Sequence, residues 1–141
     1  MGYLDLNSII VTPLKRISTP GGDVLHALKD NDFGYKTFGE SYFSLVDFNA
    51  IKAWKRHSKM IMNLVVPIGL VKFVFNISNK SGFREEEIGT NNYVRLTVPP
   101  GIWFGFKGMS KSQSLIMNIA SIRHDPNEVE SCSISDLIYT W

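Results

Sequence analysis

Cysteine is almost absent from this sequence: of 141 residues, Cys132 alone carries a thiol. A single thiol forms no internal disulfide and leaves no set for a thiolate zinc site. Its neighbours, Ser131 and Ser133, supply neither base nor cation, so a nucleophilic role is not expected. Charge of one sign is also lacking. Fifteen Lys and Arg face 13 Asp and Glu, a formal net charge of +2, and such a balance does not argue for nucleic acid. No apolar run reaches the roughly 18 residues of a membrane span. The longest, Leu64 to Val71, is interrupted by Pro67 and Gly69. The start, MGYLDLNSII, has no basic stretch ahead of an apolar one, so no secretory signal is expected and a cytoplasmic, reducing setting is the default. Only three histidines occur, His26, His57 and His124, without an H-x-H pair, so no metal site is expected. A G-x-S-x-G elbow, a P-loop and a dinucleotide fingerprint are all missing.

What the chain does have is 44% hydrophobic residues, 12% aromatics and closely spaced turn residues. Runs of strand length lie between Pro20-Gly21-Gly22, Gly34, Gly39, Pro67, Gly69, Gly82, Gly89, Pro99-Pro100-Gly101, Gly105 and Gly108. Ser41 to Phe48, Tyr93 to Val98 and Ser114 to Ile122 read as strands. Met60 to Val66 and Leu70 to Ile77 flank Pro67-Ile68-Gly69 and read as a hairpin. Its second arm sets Val71, Phe73 and Phe75 against Lys72, Val74 and Asn76, the pattern of a half-exposed strand. Glu85-Glu86-Glu87 reads as a solvated turn before a strand, and Pro126 to Glu130 as a short helical turn capped by Asp125. No amphipathic helix stands out. These elements predict one all-β domain over 1–141, a sandwich or closed barrel, with an N-terminal arm over 1–19 and a C-terminal segment over 126–141.

The densest chemistry lies in Ile51-Lys52-Ala53-Trp54-Lys55-Arg56-His57-Ser58-Lys59. Four cations and a histidine around one tryptophan suit a diphosphate with an aromatic plate for a ring. The same pattern also describes a solvated strand end whose tryptophan is core. On a regular strand residues 55 and 57 share a face, whereas 52 and 55 do not. Placing both lysines on one face requires a bulge near Ala53.

Val98-Pro99-Pro100-Gly101-Ile102-Trp103-Phe104-Gly105-Phe106 resembles the IPxGFAHGF segment of the dTDP-4-dehydrorhamnose 3,5-epimerase family. Ile51-Lys52-Ala53-Trp54-Lys55 is similar to that family's LRGLH, and Gly22, Glu40, Ser44, Asn92 and Leu96 fall on further family positions. Asp136 followed by Leu137 to Trp141 is similar to its C-terminal stretch. The resemblance implies a cupin-type jelly roll, usually a homodimer, acting on a nucleotide-linked keto-sugar without metal or redox cofactor. It also implies departures. Lys55 stands where the family has its catalytic His, Asn118 where it has its catalytic Tyr, Gly21 at its phosphate-binding Arg, and Phe104 at the His of AHGF. Lys52 is the charged counterpart of the LRG arginine but lacks its bidentate fork.

The resemblance therefore implies Lys55 or His57 as the group that moves a proton, with Asp136 as the carboxylate paired with Lys55. Lys52 and Arg56 would hold phosphate, and Trp54 or Trp103 would bound the ring. His26, Glu40 and Asn118 would line the pocket. The expected ligand is a nucleotide-linked sugar or another small anion, and no nucleic acid or membrane is expected as a partner. Two readings stay open: an epimerase or isomerase of deoxysugar or surface-polysaccharide biosynthesis, and a cupin that kept the pocket and lost the chemistry. Phe38, Tyr42, Phe43 and Phe48 give the expected homodimer its aromatic surface.

Overall fold

The computed structural model describes residues 4–78 and 82–141; the first three residues of the expected N-terminal arm lie outside them. A short 3-10 turn at Leu6–Ser8 precedes twelve strands: β1 (Ile10–Pro13), β2 (Arg16–Ile17), β3 (Val24–Leu25), β4 (Glu40–Val46), β5 (Ile51–His57), β6 (Met62–Ile68), β7 (Leu70–Asn76), β8 (Arg84–Gly89), β9 (Val94–Val98), β10 (Trp103–Gly108), β11 (Ser114–Ala120) and β12 (Val129–Ser131). Two five-stranded sheets, ordered β1-β9-β6-β11-β4 and β12-β5-β10-β7-β8, face each other, and β2 pairs with β3 apart from them. Every ladder between named strands is antiparallel. The expected all-β jelly roll is the observed architecture.

Side-chain alternation explains the sandwich. Along β11, Ser114, Ile116, Asn118 and Ala120 are buried while the residues between them are half-buried. Leu64, Val66, Val71, Phe73, Phe75, Leu96, Val98, Ile102 and Ile116 from both sheets share one core.

Four local expectations are corrected. Met62–Ile68 and Leu70–Asn76 do not form a hairpin: β6 pairs with β9 and β11, whereas β7 pairs with β8 and β10. The chain instead crosses from one sheet to the other at Gly69. Only glycine fits there, since φ is +96° and a Cβ would lie 2.2 Å from Ser114 Oγ. Nor is β7 half-exposed: Val74 is buried in a cluster with the C-terminal segment's aromatic rings, and Asn76 is buried with its side-chain amide donating to the Gly82 carbonyl. Glu85 to Glu87 belong to β8, and residues 126–128 form a non-helical turn before β12, with Asp125 accepting a hydrogen bond from the Asn127 amide.

Candidate functional site

A cavity of about 400 Å³ opens between the two sheets, with β4 and β11 contributing one wall and β5 and β10 the other. Its floor is apolar, with Phe73, Phe104, Phe106, Leu64 and Ile116. Its polar lining includes Tyr42, Lys52, Lys55, His57, Asn118 and His124.

β5 brings three of them together. On β10, Phe104 lies opposite Lys55 and Gly105 opposite Ala53, so Trp54 is the extra residue of a bulge. Its amide and carbonyl pair instead with Cys132. The bulge restores a common face, and Lys52, Lys55 and His57 all reach the cavity alongside Phe104 and Phe106. The Lys52 ammonium donates to the Leu45 carbonyl at 3.4 Å.

His57 is 7% exposed and stacks on Phe104, with ring centroids 5.9 Å apart. Its Nδ1 hydrogen-bonds Glu128, which is 2% exposed. Glu128 also accepts from the Lys59 amide at 3.0 Å and the Met60 amide at 3.2 Å. Burial pushes this carboxyl up, but the His57 bond and the two amides outweigh it and hold it below the ordinary carboxylate range. An ionised carboxylate on Nδ1 fixes that nitrogen as the protonated one and leaves Nε2 as the basic nitrogen.

On the opposite wall, register places Tyr42 of β4 beside Asn118 of β11. The Asn118 side-chain oxygen accepts from the Asn63 amide at 3.2 Å, which turns its NH₂ toward the Tyr42 hydroxyl 3.0 Å away. His124 lines the mouth, and its amide donates to Glu40 at 2.6 Å. The site thus combines a histidine held by a carboxylate, a phenol held by an amide, and two ammonium groups over an apolar floor. Among the described residues, no three His, Cys, Asp or Glu converge as metal ligands.

Several residues expected at the site are elsewhere. Asp136 does not pair with Lys55; its carboxylate accepts from the Ser133 amide at 2.7 Å in a C-terminal turn, and Glu128 is the carboxylate beside the β5 imidazole. Arg56 follows the opposite parity from Lys55 and His57. It lies 4.6 Å over the Trp103 ring and 2.7 Å from Glu130, outside the cavity. Trp103 and Trp54 belong to the same outer aromatic cluster; Trp103 does not line the cavity, whereas Trp54 also contributes to its wall. His26 engages through its backbone, with Lys15 and with the Tyr93 hydroxyl, and does not line the cavity. Glu40 holds the His124 loop and does not line the cavity. Sequence reasoning missed Tyr42 and Glu128 as site residues. The alternation of Tyr42 with Ser44 was a usable signal for the first; the second is 71 residues from its partner and gave none.

No family model matches the chain, and no curated protein matches it. Solved structures do. A dTDP sugar isomerase from Desulfovibrio desulfuricans G20 is 30% identical, with the match covering 94% of this chain and 90% of that one at a TM-score of 0.88. A sugar 3,4-ketoisomerase from Thermoanaerobacterium thermosaccharolyticum, solved with TDP, is 18% identical over 94% of this chain and 96% of its own, at a TM-score of 0.78. A dTDP-4-dehydrorhamnose 3,5-epimerase from Sulfolobus tokodaii is 19% identical over 98% and 84%, at 0.80.

Proposed function

The chain belongs to the dTDP-sugar isomerase and epimerase family of cupins, and on that premise we propose that it is an isomerase acting on a dTDP-linked 4-keto-6-deoxyhexose. The observation that carries this reading is the His57–Glu128 pair facing a cavity that also holds the Tyr42 phenol. Abstraction of a proton beside a ketone needs a base that titrates near neutral pH and an acid for the developing oxyanion.

In the proposed reaction His57 Nε2 takes the proton from the carbon next to the ketone. The C–H electrons form the enediol double bond, and the carbonyl oxygen takes a proton from the Tyr42 hydroxyl. The neighbouring hydroxyl then returns its proton to Tyr42 and becomes the new carbonyl, while His57 delivers its proton to the former carbonyl carbon. No atom is gained or lost. Glu128 stabilises the transient imidazolium, and the Lys55 ammonium lies on the same strand face, suited to the oxyanion. Lys52 faces the diphosphate as a point charge. The apolar floor of Phe104 and Phe106 excludes water from the enediol.

The test is proton exchange. Incubated with a dTDP-4-keto-6-deoxyhexose in deuterated water, the protein incorporates deuterium beside the ketone, read by NMR. His57→Ala lowers the exchange rate by about 10² to 10⁴, the usual contribution of a positioned base. Tight dTDP binding without any exchange by the wild type sinks the enzyme and returns the non-catalytic anion-binding cupin.

The setting we propose is cytoplasmic deoxysugar supply for a surface polysaccharide, by a homodimer. Phe38, Phe43, Leu45 and Phe48 are exposed on and around β4, which is an edge strand. A second copy covers this apolar strip. Light scattering at micromolar concentration then gives twice the chain mass, and Phe43→Lys gives the monomer; a wild-type monomer refutes the assembly.

A further inference from the structure

Behind the cavity wall, on the outer face of β5, the C-terminal residues Tyr139 and Trp141 close over Trp54. The Trp54 ring lies 5.2 Å from Trp141, 6.4 Å from Tyr139 and 6.1 Å from Phe83, centroid to centroid. Its indole N–H donates to the Ile134 carbonyl at 3.3 Å. Tyr139 is tied to β8 by a hydrogen bond to Glu85, and the Lys72 ammonium lies 5.4 Å over the Tyr139 ring and 5.9 Å over Trp141. On the strand beside the bulge, Gly105 has no room for a side chain. A Cβ there would lie 2.6 Å from Ala53 Cβ and 3.1 Å from both Trp54 and Trp141.

These contacts converge on the residue that breaks the strand's alternation. Trp54 is 1% exposed and packs into the outer aromatic cluster, and its position as the extra residue puts Lys52 and Lys55 on one face. Without the bulge, the side chain three positions before Lys55 returns to the outer face. We propose that Trp54 and Trp141, seated against Gly105, are positioning residues: the C-terminal aromatic strap holds the β5 bulge and thereby supplies the cavity with its second ammonium, Lys52, for a diphosphate. This rests on the sugar-nucleotide reading for the ligand, but the strap itself can be tested with a simpler anion.

The experiment is a double-mutant cycle read by calorimetric titration of dTDP and, separately, of inorganic pyrophosphate. Trp141→Ala and Lys52→Ala each weaken both anions by about tenfold, the scale of one charge-assisted contact. If the strap acts through Lys52, the double variant binds no more weakly than the weaker single variant. Trp141→Phe keeps most of the affinity, and in the exchange assay Trp141→Ala raises KM while leaving kcat near its starting value. Losses that multiply in the double variant, or unchanged affinity in Trp141→Ala, overturn the proposal. Should Trp141→Ala fail to fold, Gly105→Ala, which crowds the bulge from the cavity strand, takes its place in the cycle with the same expectations. Pyrophosphate binding without dTDP binding by the wild type refutes only the sugar-nucleotide reading. Binding of neither refutes both.

Discussion

Behind β6 and β9 the outer face of one sheet is closed by hydrogen bonds to the 27–34 segment, whereas behind β5 and β10 the other is closed by aromatic rings. On the first, Arg95 is fully buried and donates to the carbonyls of Ala27 at 2.6 Å and Phe33 at 3.3 Å, and to Asp32 at 3.3 Å. Thr97 donates to Asn63, which donates in turn to the Gly34 carbonyl. On the second, Trp54, Val74, Trp103 and Leu137 pack with Phe83, Tyr139 and Trp141. Polar closure is directional: one lost donor strands several acceptors. Aromatic closure depends on buried area and tolerates smaller rings in proportion to what they cover. The segment that needs only to be fastened is fastened by an arginine, and the segment behind the ligand cavity is shaped by rings.

Substitutions on the two faces can separate these modes. The largest effect is expected from Trp54→Ala, which empties the centre of the aromatic face and costs about 3–5 kcal/mol in urea unfolding. Trp54→Phe recovers a large part of that. Arg95→Met comes next, at about 3 kcal/mol, because three acceptors lose their donor. Arg95→Lys recovers little, since one ammonium cannot span the same acceptors. Equal rescue by both conservative changes would erase the contrast.

The smallest effect is electrostatic, and its sign differs between Glu128 and Tyr139. Glu128 has its carboxyl held down in the fold, so its contribution is present at neutral pH and is lost as pH falls below the ordinary carboxylate range and through its lowered value. Tyr139 has its phenol pushed up by burial, then by its bond to Glu85 and the charges of Glu85 and Glu87. Its contribution is therefore complete below the ordinary phenol value and is lost as pH rises beyond it. Stability against pH, measured for wild type, Glu128→Gln and Tyr139→Phe, should lose the acid limb in the first variant and the alkaline limb in the second. An unchanged acid limb in Glu128→Gln contradicts the first half.

Parts of this molecule were legible in its residues, for physical reasons. The alternation of Val94, Leu96 and Val98 identified a strand, because one face of it meets the shared core. Burial of its other face was not legible: Arg95 and Thr97 look like solvent-facing residues until the 27–34 segment folds over them. The break at Pro67-Ile68-Gly69 was visible, but a hairpin and a crossing between sheets need the same glycine, and only the pairing partners tell them apart. Around Trp54, the parity argument correctly stated the condition under which both lysines share a face. Arg56 lost its expected place by that same parity. Glu128 lay beyond local reasoning because the contact that defines it spans most of the chain.

The grip of Glu128 has a consequence for how such a protein can change over generations. One carboxylate both orients the imidazole and receives the amides of Lys59 and Met60, where the chain leaves one sheet for the other. A lineage that relaxes its chemistry by discarding His57 still needs the acid to fasten that bend. A descendant with the carboxylate intact and the ring gone would be the recognisable relic of a retired enzyme, whereas joint loss of both would require the bend to be rebuilt.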